Sequence, residues 1–184
     1  MNQIWVPKLY CDCDGVLFNT IDVAYDMMRE LGCDMHNRHE INYYFKKVVD
    51  WNEIFRRSSI INNSIEKVQI LKDSYAFKDV KILTCLSGNS EEERLKRMIF
   101  GELLPGINVI TVQYGIPKAL VIPNLKESIL VDDEKRNCLK WAQYGGVAIL
   151  FSREVIDLKN NIINDLLDIP YSKGYKSLVK TRNF

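Results

Sequence analysis

The chain carries almost no net charge. Its 25 Lys and Arg stand against 24 Asp and Glu, which leaves +1 over 184 residues. That balance argues against a surface that coats nucleic acid, and it leaves small anionic ligands open. No apolar stretch approaches the roughly 18 residues that a membrane span needs, and the segment before Lys8 is short and broken by Pro7. Neither a span nor a signal peptide is therefore predicted. The five cysteines (Cys11, Cys13, Cys33, Cys85 and Cys138) are an odd number without framework spacing, which argues against a disulfide scaffold and for a reducing, cytoplasmic compartment. Cys11-x-Cys13 lacks a matching Cys/His pair elsewhere, so no zinc centre is predicted. Internal repeats and low-complexity segments are missing too. What remains is a chain of 47% hydrophobic residues, long enough for one domain or one domain with a modest insert.

What the chain does have is a run of apolar residues that ends in acid. Leu9 to Cys11 leads into Asp12 and Asp14, and Gly15 then lets the backbone turn sharply before Val16-Leu17-Phe18. A buried parallel strand ending there sets both carboxylates in the crevice where open α/β sheets bind ligands. Two such groups call for a hard divalent cation, and Mg²⁺ suits one or two carboxylates plus waters and substrate phosphate. A second element of the same kind, Ser128-Ile129-Leu130-Val131, ends in Asp132 and Asp133.

Asp12-x-Asp14-Gly15-Val16 followed more than a hundred residues later by Asp132-Asp133 resembles the haloacid dehalogenase superfamily of phosphohydrolases. The resemblance implies a Rossmann-like α/β fold, a parallel sheet with helices on both faces, and a small helical cap inserted after the first strand and loop. It further implies two more motifs between the acidic pairs. Val80 to Thr84 reads as a strand that ends in a hydroxyl, with Cys85 and exposed amides after it to hold a phosphate. Lys118, after Gly115-Ile116-Pro117, is assigned as the lysine that steadies the phosphoryl group, with Lys96 as the alternative. Four carboxylates and a phosphate dianion cannot converge on one metal without such a cation.

The remaining chain alternates strands with helices. Ile21, Ala24, Tyr25, Met28 and Leu31 predict a helix that stops at Gly32, and the interval to about Tyr75 reads as short helices with polar loops. Residues 20–75 are expected to form the cap, and residues 1–19 and 76–184 the core. Asn89 or Ser90 caps a helix through Leu95, Met98 and Ile99. Strands follow at Ile107–Val112, Ile129–Val131 and Val147–Phe151, with a helix at Glu134–Tyr144. A last amphipathic helix is predicted within Val155–Leu167, and the tail from Pro170, with Lys173, Lys176, Lys180 and Arg182, is expected to be a loose surface end.

In chemical terms Asp12 is the expected nucleophile and Asp14 the general acid and base, the latter needing a pKa raised toward neutrality. Asp12, Asp14, Asp132 and Asp133 are the expected Mg²⁺ site, with Asp133 a direct ligand and Asp132 acting through water or Lys118, while the superfamily resemblance implies that Asp14 joins through its backbone carbonyl. Thr84, Cys85, Lys118 and Phe18 are the expected substrate contacts. The order of features from about residue 8 to 152 also resembles the 5′(3′)-deoxyribonucleotidase branch, which implies a nucleoside monophosphate. Phe18, Tyr43, Tyr44, Phe45 and Trp51 are candidates to stack a base, and Arg56 and Arg57 to meet a second anion. Sugar phosphates, nucleic-acid 3′-phosphate ends, and a protein that sequesters nucleotide without hydrolysing it stay open as alternatives. No membrane partner is expected, and homodimerisation is left open.

Overall fold

The sheet is built from strands that leave no face for water. In the computed structural model, which describes residues 6–180, β1 (Lys8–Cys11) turns Leu9 and Cys11 into one apolar layer and Tyr10 into the other. This is the period-two division of a strand covered on both sides. β2 (Asp79–Cys85), β3 (Asn108–Val112), β4 (Ser128–Asp132), β5 (Val147–Phe151) and β6 (Ile162–Ile163) complete a parallel sheet in the order β3-β2-β1-β4-β5-β6. The order reverses at β1, so a crevice opens beyond the carboxyl ends of β1, β2 and β4. Cys11 pairs with Val131 on one side and Ile82 on the other, which brings Asp12 level with Asp132. The predicted α/β class, a parallel sheet with helices on both faces, is the architecture found.

One face is covered by α4 (Ser64–Asp73), α5 (Ser90–Leu103) and α7 (Lys173–Lys180), and the other by α6 (Lys135–Gln143), whose Trp141 packs on Tyr10 at 5.6 Å between ring centroids. The interval predicted to be a helical cap divides in its packing. α1 (Thr20–Glu30) and α3 (Trp51–Arg57) bury Ala24, Met28, Trp51 and Ile54 with Val49 in a cluster of their own that also takes in Leu95 of α5, and α2 (Arg38–Lys47) packs Ile41, Tyr44 and Phe45 against it. α4 instead buries Val68 and Leu71 among Leu9, Val80 and Phe100. Phe18 joins the two regions: its ring is 6% exposed and meets Phe55 and Phe100 edge-on, each at 5.9 Å. Truncation there removes a buried ring from both, so Phe18→Ala is expected to cost about 3–5 kcal/mol in urea unfolding.

Two expectations at the C-terminal end are corrected. Val155–Leu167 is not a helix, because the Asp157 side chain accepts from the amides of Lys159 and Asn160 and closes a tight turn. Asn161 then takes a left-handed φ of +58°, and Ile162–Ile163 is released to extend the sheet beside Leu150 and Phe151. Nor is the tail loose as far as Lys180: Ser172 accepts from the Tyr175 amide at the start of α7, and the Tyr175 ring packs on Phe77 at 5.5 Å. Met1–Trp5 and the tail beyond Lys180, Arg182 included, lie outside the described residues. No helix among the described residues is long and apolar enough to cross a membrane. Cys11, Cys13, Cys33, Cys85 and Cys138 are all free thiols.

Candidate active site

Past the end of β1 the backbone folds back on itself. The Gly15 amide donates to the Phe18 carbonyl at 2.8 Å, and Gly15 sits at φ +78°. A Cβ at Gly15 would come within 2.0 Å of Asp133 Oδ2, so glycine is what lets the second acidic pair approach the first. Asp12 is buried, and its Oδ1 accepts from the Cys13 amide at 2.7 Å.

Lys118 enters from a 3-10 turn, Lys118–Leu120, that follows Pro117. Its ammonium lies 2.7 Å from Asp12 Oδ2 and 2.7 Å from Asp132 Oδ2, and it is buried. Asp132 is fully buried, and its other oxygen accepts from the Glu134 amide at 2.9 Å and from Asn137 Nδ2 at 3.1 Å. Lys118 rather than Lys96 therefore joins the two acidic elements.

Asp133 is the acid left facing the opening. No ion pair to its carboxylate forms among the described residues. Burial by the surrounding protein, then the charge of Asp132, pushes its carboxyl up to about 7 against the pull of Lys118. Burial also holds Asp12 well above the usual carboxylate range; Lys118 pulls it down, and Asp132 and Asp14 push it up. One carboxylate oxygen from each of Asp12, Asp132 and Asp133 lies within 4.8 Å of the others. A hard divalent cation fits this donor set, since it takes oxygen ligands and offsets both the burial and the mutual repulsion that hold Asp12 and Asp133 up.

A pH dependence follows. The folded pKa of Asp133 stands above the unfolded one, so its stabilising contribution is complete below about 4 and is lost as the pH rises through about 7. With chelator present, the wild type is expected to lose melting temperature between pH 5 and 7.5, and Asp133→Asn to lose less. Mg²⁺ at pH 7.5 should restore the wild type and not the variant. An equal slope in both proteins would contradict the assignment.

The second aspartate has a different environment. Asp14 Oδ1 accepts from the Thr20 hydroxyl at 2.7 Å, while Oδ2 accepts from Lys96 Nζ at 2.6 Å and from the Thr84 hydroxyl at 3.1 Å. Burial pushes the Asp14 carboxyl up, but the Lys96 ammonium and these hydrogen bonds outweigh it and hold the group below the usual range. The expectation of a pKa raised toward neutrality is corrected, because the lysine that faces this residue is Lys96, which the sequence offers only as an alternative to Lys118. Thr84, fully buried, spends its hydroxyl inside this network. Burial pushes the Cys85 thiol up to about 11, which leaves it neutral at ordinary pH, and its carbonyl accepts from Lys96.

Asp12, Asp14, Cys85 and Asp133 open onto a cleft of about 680 Å³. The helical insert lines it with Tyr25, Arg38, Asn42, Phe45 and Trp51, and the core adds Tyr114, Arg136 and Lys140. Several base-stacking candidates lie elsewhere. The Phe18 ring is in the core, Tyr43 is 59% exposed, and Tyr44 donates to the Leu31 carbonyl within the insert. Arg56 and Arg57 pair with Glu53, and Arg57 also with Glu30.

No protein-family model and no curated protein matches the chain. Solved structures do match. A haloacid dehalogenase-superfamily hydrolase of family IA, variant 3, from Entamoeba histolytica is 13% identical, with 95% of this chain and 100% of that one covered at a TM-score of 0.59. A subfamily IA, variant 1, hydrolase from Geobacter sulfurreducens is 14% identical, with coverage of 89% and 97% and a TM-score of 0.58. The chain has the haloacid dehalogenase-like hydrolase fold. A third structure with this fold, a candidate hydrolase from Bacillus subtilis bound to magnesium, is 13% identical, with coverage of 90% and 97% and a TM-score of 0.54. None of these three is described as a nucleotidase, and two carry the subfamily IA designation, so they lend the deoxyribonucleotidase branch no support.

Within this haloacid dehalogenase-like fold, sequence reasoning overlooked Thr20, Glu92, Asn137 and the cleft cations Arg38, Arg136 and Lys140. Asn137 and the cations belong to no motif. Glu92 and Lys96 did leave a signal: a charged pair four residues apart shares the inward stripe with Leu95 and Phe100, where an apolar residue would be expected.

Proposed function

We propose that this chain is a magnesium-dependent phosphomonoester hydrolase in which Asp12 attacks phosphorus and carries the phosphoryl group as an aspartyl phosphate. The observation that carries this reading is the buried Lys118 ammonium, 2.7 Å from both Asp12 and Asp132 behind the cleft onto which Asp12 and Asp133 open. A carboxylate cannot approach a phosphate dianion unless positive charge offsets the repulsion, and Lys118 supplies it where the phosphoryl oxygens would lie. Asp12 and Asp133 would hold the magnesium ion, with Asp132 setting Lys118. When bound, the ion supplies charge stabilisation of the phosphoryl oxygens.

Asp12 attacks in line, the bond from phosphorus to the ester oxygen breaks, and Asp14 gives its proton to the leaving alkoxide. Asp14 then takes a proton from the water that attacks the aspartyl phosphate, which returns Asp12 and releases inorganic phosphate. To carry that proton, Asp14 must first be released from Lys96, since its carboxyl is otherwise held below the usual range.

For the substrate we favour a nucleoside monophosphate. A cleft of about 680 Å³ exceeds what a phosphate alone fills, and Tyr25, Phe45 and Tyr114 in its wall suit a base. A sugar phosphate is the second reading, favoured by the polar and cationic lining of Arg38, Asn42, Arg136, Asn137 and Lys140. The test is phosphate release from nucleoside monophosphates, sugar phosphates and a 3′-phosphorylated oligonucleotide, with Mg²⁺ and with excess chelator. Metal-dependent release from the nucleotides alone supports the first reading, and release from sugar phosphates alone the second. Tight nucleotide binding with no release from any member would overturn the hydrolase and leave a sequestering protein.

A further inference from the structure

Burying a lysine is costly unless its charge is matched and its hydrogens are used. Lys96 is 0% exposed. Its Nζ lies 2.6 Å from Asp14 Oδ2, 2.8 Å from Glu92 Oε1, 2.9 Å from Thr84 Oγ1 and 3.0 Å from the Cys85 carbonyl. Four acceptors thus share three hydrogens. Glu92 is itself fixed, for its Oε2 accepts from the amide and the hydroxyl of Ser87, each at 2.6 Å. Over the ammonium lies the ring of Trp51, the first residue of α3, with its centroid at 5.3 Å. The Trp51 indole N–H has no acceptor among the described residues, so packing and the cation hold the ring there.

We propose that Lys96 and Glu92 are a positioning pair that sets the direction of the Asp14 carboxylate, and that Trp51 ties this setting to the helical insert. The inference rests on Asp14 acting as general acid in the proposed hydrolysis. A buried lysine with Asp14 as its one anionic partner could not let go without becoming an unpaired charge. Glu92, four residues earlier on the same helix face, removes that obstacle: Lys96 can yield Asp14 Oδ2 and keep a carboxylate at 2.8 Å. Asp12 and Lys118 lie outside this network, so losing Lys96 should strike the step that Asp14 serves and spare the attack on phosphorus.

Leaving-group dependence separates these roles. The chain with Mg²⁺ is assayed as wild type, Lys96→Met, Lys96→Arg and Glu92→Gln on two substrates. One is p-nitrophenyl phosphate, whose phenolate departs without a proton, and the other is the best alkyl phosphate of the panel. Lys96→Met is expected to slow the first turnover of the alkyl ester about 100-fold or more and the p-nitrophenolate burst by no more than about threefold, while steady-state turnover falls with both esters because Asp14 also serves the water step. Lys96→Arg should recover part of the loss, and Glu92→Gln should move in the same direction by less. Equal losses in the two first-turnover rates, or no loss in either, would overturn the proposal. If Lys96→Met fails to fold, Glu92→Gln carries the same comparison. If the wild type hydrolyses neither ester, the hydrolase reading fails, and crystal structures of wild type and Glu92→Gln decide the positioning role: a turned Asp14 carboxylate supports it and an unmoved one overturns it.

Discussion

Asp12→Asn is expected to lower phosphate release by about 10⁴-fold or more while leaving the chain folded. The amide has the shape of the carboxylate, so its oxygen can still accept from the Cys13 amide now 2.7 Å away. Lys118 keeps Asp132 as a partner at 2.7 Å, so no buried cation is orphaned. Burial and the neighbouring acids already push the Asp12 carboxyl well up, and removing its charge also removes that repulsion. What is lost is the one oxygen pair able to attack phosphorus from beside Lys118. Phosphate release and a thermal melt measured together check this, and a folded variant that keeps more than a tenth of the wild-type rate would contradict it.

Lys118→Met is expected to damage both stability and turnover. With the ammonium gone, the buried Asp12 and Asp132 lose the cation that joins them, and removing one partner of a buried ion pair costs about 3–5 kcal/mol at neutral pH. The sign with pH is fixed by the same geometry. Burial already holds the Asp12 carboxyl above its usual range, and without the pull of Lys118 it would titrate higher still, so the variant is held together best below the ordinary carboxylate range and weakens as the pH rises. Urea unfolding at pH 5 and pH 8 should therefore show the larger deficit at pH 8. Turnover should fall about 100-fold or more at either pH, because the charge facing the phosphoryl oxygens is missing. A variant equally stable at both pH values would place Lys118 outside the acidic cluster.

The parts of the site legible in the sequence are those where a strand ends in chemistry. β1 and β4 are apolar runs that stop at carboxylates, and a parallel sheet brings the ends of adjacent strands together, so Asp12 and Asp132 meet without further information. Lys118 could be singled out by charge balance, although its choice over Lys96 needed the contacts. The environment of Asp14 was not legible, because it depends on α5 arriving at one rotation and on two hydroxyls that are 64 residues apart in the chain, Thr20 and Thr84. Phe18 follows the acidic loop directly and invites a reading as a substrate contact, yet the turn at Gly15 swings its ring into the core. Within residues 20–75, α4 packs among Leu9 and Val80 whereas α1 and α3 pack with one another, a division that depends on long-range contacts. At the C-terminal end, Asp157 and Asn161 make local turns that outcompete a helix whose apolar spacing is real.

The measurement that tests the central claim most directly is acid quenching of the enzyme during turnover of its best phosphomonoester, followed by mass spectrometry of the peptide that carries Asp12. A phosphoryl group on Asp12, absent from Asp12→Asn and absent when Mg²⁺ is chelated, is the expected result. Turnover with the phosphoryl group on another residue, or with no covalent adduct at any quench time that resolves the first turnover, would contradict the account.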